Sequence, residues 1–508
     1  MIARDGANES LWQNTSQAYI PTTQIDISKN YDVVIAGGGI TGISTALQLQ
    51  QAGLRCIVLE AHSLCFGTTG GTTAHLNTLL DTPYNTIAGN FGKEGASLVA
   101  QAVRESLNTV KANIERYQID CNYEEATAYL FSQDEDQTKE LESIREATVE
   151  AGVATAYTST IPVPIPFEKA LEIKNQAKFH PTRYVMALAK AFEEAGGTII
   201  ENCRVTATDN ADPLVIKTNQ GDIQTSWLIY ATHIPPGVNL VHLRCAPYRS
   251  YAMAVRLADE NYPAGLAYDM YDPYHYYRTQ LIDGTPYLIA GGEDHKTAHE
   301  ENTNTPFAKL ESHIRKFFNV KEITNRWSSQ YFEPADGLPY IGHMPGKPGK
   351  ILVATGYGGN GITYSHVAAR LLSSIVLNIE SPYIKLFDPN RIKPIAGFTN
   401  FVKENVDVAK QLITGFFSKE KIHELADIAP GEGKIVKHDG HTLALYKDEA
   451  GQVHAINPRC PHLKCTVSWN LTEKTWDCPC HGARYNANGE VLTGPADMDL
   501  EKINLQKP

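Results

Sequence analysis

The feature that most restricts the fold of this chain is a glycine-rich turn between an apolar strand and a helix. Residues 31–61 read YDVVIAGGGITGISTALQLQQAGLRCIVLEA, a strand, a turn, a helix and a second strand. Gly37, Gly39 and Gly42 form G-x-G-x-x-G, which allows a tight turn, close approach of the backbone to a pyrophosphate and close helix–strand packing. Glu60 ends the second strand, where its carboxylate can accept hydrogen bonds from an adenosine ribose. This unit predicts a dinucleotide-binding domain.

The rest of the chain alternates between two kinds of pattern. A helix followed by strands is predicted over 184–233, and a strand, a glycine-rich turn and a helix are predicted over 350–377. Between them, residues 245–295 have the alternation and turn signals of β-hairpins. A nucleotide-binding fold interrupted by a β-rich insert fits this order.

A second motif lies near the C-terminus and points to a metal. Cys460-Pro-His462 and Cys478-Pro-Cys480-His481 place one cysteine and one histidine in each of two loops, separated by 15 residues. Zinc ribbons favour C-x-x-C knuckles. One cysteine and one histidine per loop instead suits an asymmetric two-iron site, with two thiolates on one iron and two imidazoles on the other. The pattern favours Cys460, His462, Cys478 and His481 as ligands of a [2Fe–2S] cluster, with zinc as the alternative.

Two further segments identify the family that the first domain resembles. FGTTGGTTAHLNT follows the second strand, and DGLPYIGHMPG with ATGYGGNGITYSH closes the domain. Through these segments residues 30–380 resemble the FAD-dependent D-amino-acid oxidase (DAO) superfamily, which includes sarcosine and glycine oxidases. The resemblance implies FAD and places His75 either against the flavin or at a polar turn. Some relatives attach FAD covalently through a nearby histidine, but the local motif here does not match theirs, so we expect non-covalent FAD. It also implies FAD contacts from Gly37, Ile40, Gly42, Glu60, Thr68, Thr69, Thr73, Val205, Gly356, Gly358, Gly361 and Thr363.

The C-terminal motif resembles the Rieske [2Fe–2S] domain, and CPHLKC with CPCHG resembles its respiratory type. That type implies a disulfide between Cys465 and Cys480, whereas the usual state of cysteines in a cytoplasmic protein would leave both reduced. In the respiratory type a serine and, two positions on, a tyrosine follow CPCHG, and their hydroxyls stabilise the reduced cluster. Here Ala483 takes the place of the serine and Tyr485 keeps the tyrosine.

These observations predict an α/β fold class: a Rossmann-like FAD-binding domain with an inserted β-rich substrate domain, followed by a small all-β Rieske domain. The predicted boundaries are 1–380 for the DAO-type domain, 381–428 for a linker with an amphipathic helix, and 429–508 for the Rieske domain. The helix, predicted at 398–417, is expected to pack against the body or the last domain. An in-plane membrane helix giving access to quinones is the alternative, which its balanced charges disfavour.

The combination of cofactors predicts an oxidoreductase. An amine or amino-acid-like substrate gives a hydride to FAD, and single electrons pass through the cluster to or from a protein or quinone. Arg278, Tyr276 and His75 are the candidate catalytic residues. DAO-type enzymes that oxidise amino acids often hold the carboxylate with an arginine in W-x-G-x-R-P-x-x-x-D, but Tyr331 stands at that position here. Arg278, on a hairpin face with Tyr274 and Tyr276, could bind an anionic substrate instead, or pack on tyrosine rings.

Two other functions are compatible with parts of the sequence. A redox carrier or sensor would relay electrons between proteins without a small-molecule substrate, and a closed flavin face would favour it. A Rieske oxygenase needs a 2-His-1-carboxylate iron site. Its best candidates, His295 and His299, are in a segment that is predicted to be a solvated loop, so an oxygenase is disfavoured.

Charge and cysteine usage restrict partners and location. The net charge of −12 argues against nucleic acid or an anionic membrane as the main partner. No apolar run approaches the roughly 20 residues of a membrane helix, and the N-terminus has no apolar signal region. Five cysteines are scattered singly, as expected for reduced thiols, so we expect a cytoplasmic protein.

Overall fold

The computed structural model of this chain describes residues 3–23, 30–209, 211–347, 349–391, 428–438 and 441–504. The amphipathic helix predicted at 398–417 lies outside these residues. The described helices are α1 (Leu11–Asn14), α2 (Ile40–Gln51), α3 (Thr68–Gly71), α4 (Tyr84–Tyr117), α5 (Glu135–Glu150), α6 (Pro181–Glu194), α7 (Asn304–Phe317), α8 (Gly361–Val376) and α9 (Ile384–Phe387). None of them has both the length and the hydropathy that a membrane crossing requires.

The strands of the described residues divide among four sheets. They are β1 (Tyr31–Ala36), β2 (Cys56–Leu59), β3 (His75–Leu76), β4 (Glu124–Ser132), β5 (Ala156–Thr158), β6 (Lys169–Lys178), β7 (Thr198–Ile200), β8 (Val205–Thr208), β9 (Leu214–Thr218), β10 (Gly221–Tyr230), β11 (Cys245–Leu257), β12 (Leu266–Tyr268), β13 (Tyr276–Ile282), β14 (Thr285–Lys296), β15 (Val320–Pro334), β16 (Tyr340–His343), β17 (Ile351–Thr355), β18 (Gly433–His438), β19 (His441–Lys447), β20 (Val453–Ile456), β21 (Ser468–Asn470), β22 (Thr475–Asp477), β23 (Arg484–Asn486) and β24 (Val491–Thr493).

The first sheet is the nucleotide-binding half of the molecule. Its main path is β16-β17-β10-β1-β2-β7, in which β17, β10, β1, β2 and β7 are parallel and β16 is antiparallel. Val33, Val34 and Ile35 of β1 are completely buried, because helices cover a parallel sheet on both faces. The helix α2 packs against α6 and α8. The strand–helix–strand unit predicted at 31–61 is confirmed.

The second sheet has nine strands and faces the first across the cavity described below. Its order is β15-β11-β14-β13-β12-β4-β6-β3, with β5 pairing to β6. The hairpin predicted around Asp283-Gly284 is present as β13 and β14. The sheet also takes strands from 75–178, a stretch for which no strands were predicted, so the β-rich part is assembled from two separate segments of the chain.

The C-terminal domain is all-β, as predicted. One sheet holds β18, β19 and β20, and the other holds β21 to β24 in sequence order. The two loops that carry the C-x-H and C-x-x-H motifs precede β21 and β23. Trp476 and Tyr485 are completely buried in its core together with the four cysteines of the motif loops.

A buried network of charges joins this domain to the rest of the protein. Arg484 of β23 pairs with Asp5 of the N-terminal segment and, at 3.2 Å, with Asp477 of β22. Asp477 also lies 3.5 Å from Arg249 of β11. Glu473 accepts hydrogen bonds from the backbone and the hydroxyl of Ser328 on β15. Because the partners come from three parts of the chain, the network fixes one docked arrangement.

Candidate active site and metal centre

A long cavity opens at the carboxyl ends of β1, β2, β10 and β17, the position at which α/β sheets bind ligands. The glycine turn after β1 and the segment Gly67–Thr73 line it from one side, and the turn before α8 lines it from another. The nine-stranded sheet and residues 492–497 of the C-terminal domain close the remaining sides. The cavity therefore extends from the nucleotide-binding turn to the nine-stranded sheet and to the C-terminal domain.

The glycine turn is packed too closely to accept a side chain at Gly37 or Gly42. Gly37 has φ +112°, and a Cβ there would lie 2.4 Å from the carbonyl oxygen of Ala231. A Cβ on Gly42 would lie 1.9 Å from the carbonyl oxygen of Gly37. Gly39 precedes the N-terminus of α2, whose Ile40 N–H donates to Thr69 Oγ1 at 3.1 Å. This bare backbone at a positive helix end fits the pyrophosphate of FAD.

Glu60 lies at one end of the cavity, as its place after β2 requires. Its carboxylate accepts hydrogen bonds from the N–H groups of Gly38, at 2.7 Å, and His62, at 2.9 Å. Burial outweighs these bonds and raises the pKa of Glu60. Arg204 lies at the same end and donates to the carbonyl oxygen of Val491 at 2.9 Å. The C-terminal domain thus covers the end at which Glu60 would meet an adenosine ribose.

Most of the predicted FAD contacts lie together on the cavity wall, and a few lie behind it. The lining includes Gly37, Gly39, Ile40, Glu60, Thr68, Thr69, Thr73, Val205, Gly358 and Gly361. Gly42, Gly356 and Thr363 are not part of the lining. Gly356 has φ +73°, and a Cβ there would lie 3.2 Å from Cys245 Sγ. Thr363 donates to the carbonyl oxygen of Asn77 at 3.1 Å. These residues shape the wall from the second layer.

The opposite end of the cavity is lined by tyrosines and two carboxylates. Tyr274 and Tyr276 project from the start of β13, and their ring centroids are 5.7 Å apart. Tyr274 donates to Asp81 Oδ1 at 3.2 Å, and Tyr331 donates to Asp294 Oδ2 at 2.9 Å. Burial raises the pKa of both acids, that of Asp294 to about 7.

His75 lies between these tyrosines and the FAD-contact segment. Asn77 Nδ2 donates to the hydroxyl of Tyr268, whose own proton then goes to His75 Nδ1. This network leaves the proton of the neutral imidazole on Nε2, which is buried and has no partner among the described residues. Burial lowers the pKa of His75 well below its usual value, with Arg278 and Lys178 adding to the effect. His75 therefore offers an N–H donor at the cavity wall.

The structure brings His75 and Tyr276 to the cavity but not Arg278, the third candidate catalytic residue. The Arg278 guanidinium is completely buried and donates to the backbone carbonyl oxygens of Thr73, at 2.9 Å, and Ala74. It also lies 5.2 Å from the ring of Trp12. Burial lowers its pKa to about 9. In this position Arg278 holds the segment that carries His75 rather than facing a ligand.

The sequence interpretation missed Asp81 and Asp294. Asp81 follows the FAD-contact segment and Asp294 lies near the end of β14, so no local motif joins them. The alternation along the 274–294 hairpin places Asp294 on a definite face of the sheet, but only the fold shows that this face lines the cavity. His295, a candidate iron ligand, instead contacts the hydroxyl of Tyr251 at 2.8 Å.

The four predicted metal ligands converge in the C-terminal domain. Cys460 and Cys478 are buried and their thiols interact directly. The rings of His462 and His481 have centroids 4.9 Å apart, and both ring nitrogens of His481 are buried without a hydrogen-bond partner in the described part of the chain. Two thiols and two imidazoles, with orphaned buried nitrogens between them, fit an iron–sulfur cluster held by two residues on each iron.

A disulfide ties the two ligand loops together. Cys465 and Cys480 are bonded, with an S–S distance of 2.01 Å and Cα atoms 6.5 Å apart. The predicted pairing is confirmed. The five singly placed cysteines are all buried and free, as their scattered spacing indicated.

The cavity and the metal centre share a wall. Residues 232–236 line the cavity, and His242, a few residues further on, lies with Nδ1 3.0 Å from His462 Nε2. On a second route, the Gln330 backbone oxygen accepts from Thr68 of the cavity at 3.2 Å. The Gln330 side chain donates to the Gly482 carbonyl oxygen of the cluster loop at 2.9 Å. The imidazole side of the metal centre therefore faces the cavity.

Comparisons with known proteins agree with this geometry. The family of FAD dependent oxidoreductases called DAO matches residues 32–375, and the Rieske [2Fe-2S] domain matches residues 418–504. The Bacillus subtilis protein YhfW, whose name describes it as a Rieske 2Fe-2S iron–sulfur protein, is 35% identical over 98% of both chains. Gamma-glutamylputrescine oxidoreductase of Escherichia coli is 25% identical over 72% of this chain and 88% of its own.

A solved structure supports the fold of the first domain. Glycine oxidase from Geobacillus kaustophilus superposes with a TM-score of 0.61 at 18% identity, covering 72% of this chain and all of that enzyme. At this identity the likeness concerns the fold alone.

Proposed function

This chain belongs to the DAO family of FAD-dependent oxidoreductases and carries a C-terminal Rieske [2Fe–2S] domain, and from that premise we propose that it oxidises the carbon–nitrogen bond of an amine or amino-acid-like substrate. The predicted cofactors, FAD and a [2Fe–2S] cluster, are those of the two families. In this proposal the electrons leave one at a time through the cluster, to a protein or quinone acceptor.

The observation that carries the proposal is the shared wall between cavity and metal centre. His242, a few residues after the cavity-lining Pro236, lies with Nδ1 3.0 Å from Nε2 of His462, a proposed ligand. Gly482 directly follows the ligand His481, and it lies against β11 of the FAD domain. It has φ +75°, and a Cβ there would lie 2.7 Å from Cβ of Pro247 on that strand. The buried ion network holds this arrangement. A cluster docked in this way supports electron transfer within one molecule.

The residues divide into three groups by proposed role: binding FAD, binding the cluster, and contacting the flavin or positioning that contact. Gly37, Gly39 and Glu60 would hold FAD, and Cys460, His462, Cys478 and His481 would hold the cluster. When bound, FAD supplies a two-electron acceptor for a hydride and the cluster a one-electron path. His75 would place its Nε2–H against the flavin. Arg278 would position His75 by holding the backbone of Thr73 and Ala74.

The cavity favours an enzyme over a redox carrier. A carrier needs no substrate space beside its flavin, whereas the described cavity continues past the FAD-contact residues to Tyr274, Tyr276 and Tyr331. Concave sites with a few convergent polar groups are typical of small-molecule binding.

The test is anaerobic mixing of the purified protein with a panel of amines and amino acids. We expect bleaching of the flavin absorbance, followed by the electron paramagnetic resonance signal of the reduced cluster. A His481→Ala variant should keep its FAD and still bleach, but it should lose acceptor reduction. Bleaching without any cluster reduction in the intact protein would contradict the electron route, and a panel with no bleaching would contradict the reaction.

A further inference from the structure

We propose that the substrate is bound as an organic ammonium ion and bears no carboxylate on its reacting carbon, with Asp294 as the group that receives the cation. The inference rests on the proposed function and narrows it from amines and amino acids to amines. Three features of the cavity carry it: its charge, its free acceptor atoms and its aromatic lining.

The charge of the tyrosine-lined end is negative. Asp81 and Asp294 both lie there. Among the described residues that line the cavity, Arg204 is the only arginine or lysine, and it lies at the other end, in contact with His62 at 3.0 Å. Arg278 is withdrawn behind the wall. A substrate carboxylate would therefore meet two acids and no cation, which is unfavourable in a buried site.

Free acceptor atoms are present at the same end. Asp294 Oδ2 accepts from Tyr331, and the Ser250 hydroxyl also interacts with this carboxylate, but its buried Oδ1 makes no hydrogen bond of normal geometry to any described residue. Asn77 is only 2% exposed, and its buried side-chain oxygen likewise has no partner in the described part of the chain, because its nitrogen donates to Tyr268. Buried acceptors are normally paired. An ammonium group has three donors and no acceptor, so it can satisfy a buried oxygen of this kind.

The tyrosines provide ring faces rather than hydroxyl donors. Tyr274 and Tyr331 give their protons to Asp81 and Asp294, and the hydroxyl of Tyr276 pairs with Ser250 at 3.0 Å. Because the three hydroxyls already have hydrogen-bond partners in the protein, these tyrosines present mainly their aromatic ring faces to a ligand. Aromatic rings around an acid are a recurrent way to bind alkylammonium ions, since the ring face is electron-rich.

Asp294, FAD and the cluster together account for the proton and the electrons that the oxidation removes from the substrate. The ammonium would pass a proton to Asp294, and FAD, when bound, would supply the acceptor for a hydride from the adjacent carbon, which leaves a carbon–nitrogen double bond. Water would then add to that bond and release a carbonyl compound and the nitrogen as an amine or ammonia. The cluster, when bound, would supply the path by which the two electrons reach the one-electron acceptor. Burial keeps the pKa of Asp294 near 7, which suits a group that takes up and returns one proton.

The test uses a pair of ions that cannot be turned over. tert-Butylammonium and trimethylacetate share a tert-butyl group and carry opposite charges, and neither has a hydrogen on its central carbon. Each is titrated into the FAD-loaded protein at pH 8, and binding is read from the flavin absorbance. We expect saturable binding of the ammonium ion and none of the carboxylate. Asp294→Asn should raise the Kd of the ammonium ion by about tenfold or more, since it removes a buried charge.

A matched control is Asp222→Asn, an exposed aspartate on the β9–β10 hairpin away from the cavity, which should leave the Kd unchanged. Binding of trimethylacetate, no binding of the ammonium ion, or an unaltered Kd in Asp294→Asn would each overturn the proposal. None of these readouts needs turnover. The inference can therefore fail while amino acids still bleach the flavin, and an absence of all bleaching would contradict the proposed function alone.

The same contrast can be made with oxidisable compounds. n-Butylamine and norvaline differ by the carboxylate on the carbon that bears nitrogen. We expect anaerobic bleaching by the amine to be at least about tenfold faster than by the amino acid. Faster bleaching by norvaline would contradict the inference while supporting the wider proposed function.

Discussion

His242 Nδ1 lies 3.0 Å from His462 Nε2, across the boundary between the FAD domain and the Rieske domain. His242 Nε2 lies 2.8 Å from the carbonyl oxygen of Pro235, which can only accept, and 2.9 Å from Asn239 Nδ2. Because Asn239 Nδ2 has the carbonyl oxygen of Gly237 as an acceptor of its own, at 3.3 Å, we assign the His242 proton to Nε2. Nδ1 is then an acceptor, and His462 Nε2–H donates to it. An acceptor on the far nitrogen of a ligating imidazole makes that imidazole a stronger electron donor to its metal.

Replacing His242 should therefore raise the midpoint potential of the cluster. His242→Phe keeps an aromatic ring in the site but removes the acceptor, so the oxidised cluster loses stabilisation. One neutral hydrogen bond is worth about 1 kcal/mol, which corresponds to a rise of roughly 40 mV for one electron. Potentiometric titration with paramagnetic resonance detection measures it. His441→Phe, at an exposed histidine of the same domain, is the control; equal potentials in both variants would contradict the assignment.

The hydroxyl of Tyr485 should raise the midpoint potential of the cluster, whereas the His242 acceptor lowers it. Tyr485 Oη lies 3.1 Å from Cys460 Sγ, and a hydrogen bond to a ligand sulfur stabilises the more negative, reduced cluster. Tyr485→Phe should lower the midpoint potential. Ala483→Ser, which adds the second hydroxyl of the respiratory type at a completely buried position, should raise it. The two shifts are measured in one titration series, and shifts of the same sign would refute this explanation.

Loss of the disulfide should shorten the life of the cluster without affecting FAD. Cys465→Ser breaks the bond to Cys480 that joins the ligand loops, so each loop gains conformational freedom. We expect the visible absorbance of the cluster to decay several-fold faster in the presence of a chelator, while the FAD content stays at that of the parent protein. Lys464→Ala, an exposed neighbour, is the control. Equal decay rates would show that the disulfide does not protect the cluster.

The interdomain charge network should make the docked state sensitive to acid. Burial favours the neutral form of Asp477, but Arg484 and Arg249 outweigh it and hold its pKa below the usual 3.8. A lowered pKa stabilises the fold above pH 3.8, and this contribution is lost as the pH falls through the folded pKa. Arg484→Met leaves Asp5 and Asp477 with fewer cations and should cost about 3–5 kcal/mol.

Urea unfolding at pH 7 and at pH 3 measures this effect, with the Rieske and flavin signals followed separately. The difference between the parent and Arg484→Met should shrink as the pH falls below 3.8. Arg315→Met, which removes an exposed i,i+4 pair with Glu311, should change the free energy of unfolding by less than about 0.5 kcal/mol. A similar loss in both variants would contradict a structural role for the buried network.

Binding of organic cations should improve as the pH rises through about 7. Burial raises the pKa of Asp294 to that value, and Asp81 adds to the rise, whereas Ser250, Tyr331 and His275 oppose it. Below that pH the carboxyl is protonated and neutral, so the Kd of tert-butylammonium should increase about tenfold per pH unit on the acid side. Alkylammonium ions keep their charge up to about pH 10. In Asp294→Asn the Kd should be flat between pH 6 and 8; a persisting slope would assign the dependence to another group.

The sequence by itself was sufficient for the parts of this protein that are specified locally. The turn at Gly37 needs bare backbone within a few residues of its strand and helix, so the dinucleotide site is visible in one short segment. The cluster ligands lie in two short loops with fixed spacing, so their chemistry is also local. The pairing of Cys465 with Cys480 followed from the resemblance that this spacing implied, and the structure confirms it.

The tertiary structure decided everything that depends on residues far apart in the chain. The sequence put Arg278 on one hairpin face with Tyr274 and Tyr276, but the backbone carbonyl oxygens of Thr73 and Ala74, some 200 positions away, capture its guanidinium. Asp294 faces the cavity for the same reason, because β11, β13, β14 and β15 assemble into one sheet. Spacing along a strand fixes the side of the sheet on which a residue lies, and only the packing of that side against other segments decides whether it binds a ligand or supports the wall.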